Sequence, residues 1–522
     1  MKPRLLLTFF ACLGALQTAL AQHPNVLIGA DKSPNEPAIC INPKNPQQVV
    51  AGANIDNVYY SSDGGASWKT APVECPWGIW GDPVIGVDNS GAFYFLHLSN
   101  PPTPGNWIDR IIAQKSTNGG QSWSAGSFMG LNGNKVQDKH WIATNMKTNE
   151  LYVTWTQFDV YGSTAPTDSS IIMFSKSNNG GQSWSAAKRI NQLAGNCVDN
   201  SQTAEGAVPA VGPNGELYVA WSLNEKIWFD RSLDGGNTWL NNDILVGTQP
   251  GGWDFAIPGI YRANGMPITT CDTSGGPFHG TLYVNWSDQR NGSEDTDIWL
   301  SKSTDGGNSW TPPARVNNDA AGHQQFFSWM TVDQKTGWLW FVFYDRRKYS
   351  DQQTDVYMAV SKDGGLTFHN FKVSESPFTP DDAFFFGDYT NIAAYNNVVR
   401  PIWTRLEGGD LSVWTALVQP DILVSDSEPE NLSDFIVESP YPNPAAGVSG
   451  FSFKLHARAL INLQIIDLQG QTRATLISQE WRNPGKYMEK IDAGKLGIPA
   501  GDYFMVLEVD GQKTTRKLVF VQ

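Results

Sequence analysis

Charge is scarce in this chain. Only 17% of its 522 residues are Asp, Glu, Lys or Arg, against 12% aromatic residues, 21 Trp and 50 Gly. That balance excludes a disordered chain and favours a tightly turned all-β protein over a helical one. Surplus positive charge is absent as well: 37 Lys and Arg face 51 Asp and Glu, a net charge of −14. Nucleic acid and anionic membrane surfaces are therefore not expected as partners. No apolar run beyond the first 21 residues is long enough for a membrane span. Cysteine is rare, with five in all, and there is no CxxC and no Cys/His metal spacing. No cofactor is expected. The one cation candidate is the acidic loop Ser293-Glu294-Asp295-Thr296-Asp297, as a structural Ca²⁺ site.

The chain opens as an export signal. Lys2 and Arg4 precede an apolar run, and Ala19-Leu20-Ala21 supplies the small residues of a cleavage site, so 1–21 reads as a signal peptide. Four cysteines then remain in an exported protein. Of their three possible connectivities we expect Cys40–Cys75 within one module and Cys197–Cys271 between modules.

What is abundant is one turn, repeated. SSDGGASW (61–68), STNGGQSW (116–123), SNNGGQSW (177–184), SLDGGNTW (232–239), STDGGNSW (303–310) and SKDGGLTF (361–368) recur 55 to 71 residues apart. Such a recurrence marks an array of similar supersecondary units. The Asp or Asn accepts hydrogen bonds from its own turn, the Gly pair supplies positive φ, and the final aromatic returns the chain to an apolar layer. Around each turn lie four short apolar strands, most plainly over 206–246, where AVPAV, LYVAW and KIWFDRS precede the turn and a last strand follows it. The same plan fits 36–73, 82–129, 139–191, 258–317 and 323–375. A seventh unit at 385–418 lacks the turn, and the strand near Val26-Leu27-Ile28 is expected to complete it. Four-stranded units in series are propeller blades. Seven blades are preferred and six is the runner-up.

The repeated turn resembles the Asp box, or BNR repeat, of sialidase-like β-propellers. That resemblance implies a propeller over 22–419. Residues 420–434 (PDILVSDSEPENLSD) are acidic, without periodicity, and read as a linker. From Phe435 to Gln522 the YPNP at 441–444, the D-x-x-G of INLQIIDLQG, Leu496 with Gly501-Asp502-Tyr503, and the RKLVFVQ ending resemble the C-terminal sorting domain of the type IX secretion system of Bacteroidetes. This implies a small β-sandwich over 435–522, the type IX machinery as partner, and a destination outside the cell.

Strand direction sorts the loops. The Asp boxes share one face with the turns joining first to second strands, and the loops between blades crowd the other face. Those loops carry Glu36, Asp82, Asp138, Glu205, Asp254 and Asp388 beside Trp141, Trp253, Trp329 and Tyr389. Aromatic faces stack on sugar rings, and carboxylates bond hydroxyls or act as acid and base. Asp82, Glu205 or Asp388 is the expected acid or base. Tyr389 leads Tyr344 as the nucleophile that a sialidase-like site implies. Arg290, Arg346 or Arg347, and Arg405 all follow second strands, and three guanidinium groups around one channel would clamp a carboxylate. The expected role is a glycoside hydrolase acting on acidic sugars of extracellular glycans. The F/Y-R-I-P motif of sialidases is absent: the matching strand reads Asn35-Glu36-Pro37-Ala38-Ile39. A non-catalytic glycan-binding adhesin therefore stays open, as does a polysaccharide lyase using His140 or His323 as base.

The mature exported protein is expected to lack residues 1–21 and the segment after about Phe435. Intact-mass measurement of secreted material checks this, and retention of the C-terminal segment would contradict it.

Overall fold

The computed structural model describes residues 23–103, 107–420, 435–437, 440–455, 458–467, 471–510 and 512–521. The expected signal peptide lies outside them, as do residues 421–434 of the expected linker and 468–470 of the D-x-x-G turn. The chain divides into two compact units, Met1–Asp421 and Ile422–Gln522.

The first unit is a β-propeller of four-stranded antiparallel sheets. Seven such sheets are described, beginning with the strands Ala38–Ile41, Gly81–Val87, Val136–Thr144, Glu205–Val211, Ile268–Cys271, Gln325–Val332 and Asn391–Tyr395. These first strands touch one another in that order, and the seventh touches the first, so they form a closed ring. The strand Asn25–Gly29 pairs antiparallel with Asp410–Ala416 and is the fourth strand of the last sheet. Apolar side chains pack between sheets rather than within one. Ile28, Ala393, Ile402 and Val413 of the last sheet share a cluster with Ile39, Ile41 and Val49 of the first, which seals the closure.

All six Asp boxes follow third strands. In each box the leading Ser Oγ accepts from the second glycine's N–H at 2.8–3.0 Å. The acidic or amide side chain accepts from the backbone N–H four residues on. Both glycines have φ between 68° and 94° in every box, a region costly for any residue with a Cβ.

A cation from the preceding sheet holds several boxes in place. Lys176 Nζ donates to Gly235 O at 2.7 Å, Lys302 Nζ to Gly364 O at 2.7 Å, and Arg231 to Gly306 O. Arg400, in the last sheet, does the same for Gly64 O of the first box. These four boxes are therefore each fastened to the sheet before them.

The expected disulfides do not form, and Cys40, Cys75, Cys197 and Cys271 are free thiols. Cys40 and Cys271 lie at the Asp-box ends of first strands, whereas Cys75 and Cys197 lie in loops on the opposite face. Each expected pair is thus separated by the length of a strand.

The second unit is a β-sandwich. Phe435–Val437, Val448–Leu455 and Gly485–Asp492 form one sheet, and Thr472–Arg482, Ala459–Asp467, Gly501–Val509 and Gln512–Phe520 form the other. Phe451, Phe453, Ile461, Leu463, Met505 and Leu518 are among its core residues. The sequence signatures have physical work here. Asn443 of YPNP donates to Lys517 O and accepts from Val519 N, both at 2.8 Å, and so clasps the KLV ending.

Asp305 accepts from Ser303 Oγ, Ser309 N and Ser309 Oγ at 2.6–3.0 Å. The Ser309 hydroxyl, foremost among these donors, lowers its carboxyl to about 2. Asp305→Ala is expected to cost about 1–2 kcal/mol, read as a lower melting temperature. Because the folded-state value is depressed, this stability is present above pH 4 and is lost as pH falls towards 2. Acid titration of the variant, with a shallower loss than the parent over that window, checks the sign.

Candidate functional site

The first strands bring their N-terminal ends to one rim, opposite the Asp boxes. Where they begin, the ladder slips: between Gly81 and Val84, Asp138 and Trp141, Glu205 and Val208, and Phe326 and Trp329. At or beside these bulges Asp82, Lys139, Gly206 and Phe327 have φ of 51°, 47°, 79° and 50°, and Glu36 before the first sheet has 49°. Four of the five carry a Cβ, and each left-handed residue of that kind costs on the order of 1 kcal/mol. The same strain recurring at one level of the ring means that the surroundings hold these side chains to a shared purpose.

That purpose is visible in Lys139. From the third sheet its Nζ lies 2.6 Å from Asp388 Oδ2, 3.6 Å from Asp82 Oδ2 and 3.8 Å from Glu36 Oε1. It thereby joins loops of the second, first and seventh sheets across the axis. Asn54 supports the arrangement: its Nδ2 donates to Glu36 Oε2 and to Asn35 Oδ1, and its Oδ1 accepts from Asp82 N at 2.8 Å. Lys139 is only 6% exposed and Asp388 2%.

A second cation comes from an element outside the repeat. The hairpin of Asp254–Phe255 and Ala263–Asn264 precedes the fifth sheet and carries Arg262. Its Nε donates to Asp388 Oδ1 at 2.9 Å and Nη2 pairs with Asp388 Oδ2, while Nη1 lies 3.3 Å from Asp199 Oδ2. Asp199 also accepts from Tyr161 OH at 2.6 Å.

Burial and these two cations divide the carboxyls into two groups. Opposing burial, Lys139 and then Arg262 hold Asp388 well below the usual carboxylate range. Lys139 likewise keeps Asp82 low against its burial. Glu36, Asp138 and Glu205 are pushed far up, first by burial and then by neighbouring carboxylates. Glu205 is 0% exposed, and neither carboxyl oxygen has a hydrogen-bond partner.

Beneath the charges lie Trp141, Trp329 and Tyr389, with ring centroids 4.4 Å (Trp141–Trp329) and 5.0 Å (Trp141–Tyr389) apart. They are buried and close the channel, and Trp253 is buried too, donating from Nε1 to Thr203 O. These three tryptophans, expected to stack on a ligand, are packing residues instead. The adjoining cavity, lined by Lys139, Trp141, Trp329, Asp388 and Tyr389, has a volume of about 20 Å³, room for one water and not for a sugar ring. Burial followed by nearby Glu36 raises the Tyr389 phenol far above its ordinary value, opposite to what a nucleophile needs. Burial raises Tyr344 as well, and its hydroxyl is spent on Thr404 of the next sheet. His140 is buried, and burial lowers it to about 4. His323 is half-buried in the loop before Gln325–Val332, outside this cluster.

The expected arginine clamp is not assembled. Arg290 is held by Asp288 and Thr248 O, and lies 4.2 Å over Trp299. Arg347 is held by Asp345, Asn318 and Asn370, and Arg346 by Thr354 and Pro258 O. Arg405 is held by Glu407 and Ser376. The Asp that precedes Arg290 and Arg347 by two residues captures each guanidinium, and Arg290 and Arg405 brace neighbouring sheets. The loop proposed for Ca²⁺ is engaged internally: Asp297 accepts from Arg315 and Asn317, and Asp295 from Gly322 N. Among the described residues no group of three His, Cys, Asp or Glu is placed to hold a metal.

The surface of the rim is aromatic. Trp80 and Trp107, 42% and 38% exposed, meet edge to face at 5.6 Å, and Trp107 meets Tyr161 at 5.7 Å. The run ends on the Tyr161–Asp199–Arg262 chain. Arg262 also lies over Phe385, which Tyr261, 63% exposed, flanks. Sequence reasoning found the converging acids but missed Lys139 and Arg262. Lys139 had a detectable signal: it occupies the strand-start position that Glu36 and Asp82 fill in the first two sheets.

Fold and topology define an all-β propeller followed by a β-sandwich. Residues 439–522 match the family described as "Secretion system C-terminal sorting domain". That segment is a type IX sorting domain, and the chain is exported to the cell surface or the extracellular space. No helix among the described residues is long and apolar enough to cross a membrane. No curated protein matches the chain in sequence. Similar solved structures are sialidase-like and lyase-like propellers. A Hadza microbial sialidase is 14% identical over 72% of this chain and 75% of its own, with a TM-score of 0.42. The NanB sialidase of Streptococcus pneumoniae is 10% identical over 64% and 68%, at 0.42. An ulvan lyase of polysaccharide lyase family PL25 is 10% identical over 76% and 96%, at 0.48. No residue role passes from them to this chain.

Lys139→Met would leave Asp388, Asp82 and Glu36 buried around an apolar chain. It is expected to cost about 3–5 kcal/mol and to lower the melting temperature sharply. Adding Asp388→Asn should restore part of the loss, and a single variant as stable as the parent would contradict the network.

Proposed function

We propose that this exported propeller recognises glycans at the rim opposite its Asp boxes. The observation that carries the reading is the aromatic run Trp80–Trp107–Tyr161, exposed at its outer end and joined at its inner end to Asp199 and Arg262. Sugar rings lay their C–H faces on such aromatics, and flanking carboxylate and guanidinium groups bond the hydroxyls. The small cavity below supports a ligand lying on the rim rather than in the channel.

Hydrolysis is a second reading, favoured by the division of the carboxyls. Glu205 and Asp138 are pushed up by burial and Asp388 is held down by Lys139 and Arg262 against its burial, a divergence of the kind that sets an acid and a base apart within one site. Asp82, Glu205 and Asp388 remain its acid–base candidates. An acidic sugar would need a guanidinium free of protein carboxylates, and Arg262 is already engaged by two.

The test is calorimetry and reducing-end assay of the full chain against neutral, amino and acidic oligosaccharides. Trp107→Ala should weaken binding about tenfold without changing the melting temperature. New reducing ends would support hydrolysis, binding without turnover the recognition reading alone, and no binding to any class would sink both.

A further inference from the structure

The rim has more carboxylate than its cations satisfy. Lys139 and Arg262 share the rim with seven carboxyls, those of Glu36, Asp82, Asp138, Asp199, Glu205, Asp254 and Asp388. Asp388 takes the close contacts of both cations, at 2.6 Å from Lys139 and through two nitrogens of Arg262. Asp199 has only the long 3.3 Å contact to Arg262 and the Tyr161 hydroxyl. Glu205 has no hydrogen-bond donor at either oxygen although it is fully buried. Its electrostatic neighbours are Asp199, Asp138, Lys139 and Arg262, and Asp199 is the acid on which the aromatic run ends. Leaving a buried carboxyl without a donor is costly, and proteins keep such a group where a ligand supplies the donor.

We propose that the rim takes an amine-bearing sugar, a hexosamine unit whose ammonium is received by Asp138, Asp199 and Glu205 while its ring lies on Trp107 and Tyr161. This rests on the glycan-recognition reading and adds the charge class of the sugar. An ammonium brings three N–H donors to a place where both oxygens of Glu205 are unpaired. A uronate or sialate would bring a further negative charge to the same place.

The experiment uses the full chain with glucosamine trimer, N-acetylglucosamine trimer and galacturonate trimer as probes in calorimetry. Short probes limit the diffuse attraction of a polycation to an acidic protein. The deacetylated trimer is expected to bind at least about tenfold more tightly than the acetylated one. Glu205→Gln, and separately Asp199→Asn at the more accessible position, should each remove most of that preference. Glu150→Gln, on the Asp-box face, should leave it unchanged. Should Glu205→Gln fail to fold, as judged by melting, Asp199→Asn decides. Equal or tighter binding of the acetylated or galacturonate trimer overturns the amine proposal while leaving glycan recognition standing. A preference that Glu150→Gln reduces as much as Asp199→Asn does shows diffuse charge attraction and overturns it too. Absence of binding by all three overturns the recognition reading with it.

Discussion

A lysine ammonium buried on the axis among three carboxylates is the interaction on which the rest of this molecule depends. Apolar packing between sheets is non-directional, and it closes a ring without fixing how the loops at its centre meet. Lys139 supplies the direction. Its contacts reach the first, second and seventh sheets, so the two ends of the propeller are tied by charge at the inner rim as well as by the outer strand pairing of Asn25–Gly29. Taking these charges out of water is expensive, and only their mutual contacts offset the cost. The left-handed backbone at Glu36, Asp82 and Lys139 is part of the same arrangement: the bulge that strains the chain also aims the side chains inward.

The two faces divide the labour. On one, the serine and the Asp or Asn fix each turn locally, a cation from the neighbouring sheet holds four of the six, and the turn residues repeat because their backbone geometry repeats. On the other, each loop differs from the next, and side chains meet that are far apart in the chain, as Lys139 meets Asp388 249 residues on. A scaffold of repeated turns holding unlike loops is an economical way to assemble a mixed site.

The same contrast explains what was legible in the sequence. The six boxes, the four-strand units and the sorting sandwich are written in local residue types, because glycine, serine and strand periodicity act over a few positions. The acids of the loops could be assigned to one rim by strand direction alone, and Glu36, Asp82, Asp138, Glu205 and Asp388 do gather there. The arginines at 290, 346, 347 and 405 misled because strand direction gives a face and not a radius: Asp288 and Asp345 capture two of them within their own loops. Trp141, Trp253 and Trp329 misled for a related reason, since an aromatic near a mouth is as able to plug it as to line it. Arg262 left no signal, because its hairpin belongs to no repeat. The cysteines, read as pairs by count, are kept apart by strand length.

The placement of Asn25–Gly29 beside Asp410–Ala416 has a temporal meaning. The last sheet lacks its outer strand until the first described strand of the propeller meets the end of the same unit, so the ring is complete only when residue 25 finds residue 416. Closing so long a loop is slow. The propeller cannot finish folding until residue 416 has been made, so nearly the whole of its unit is synthesised before the ring can close.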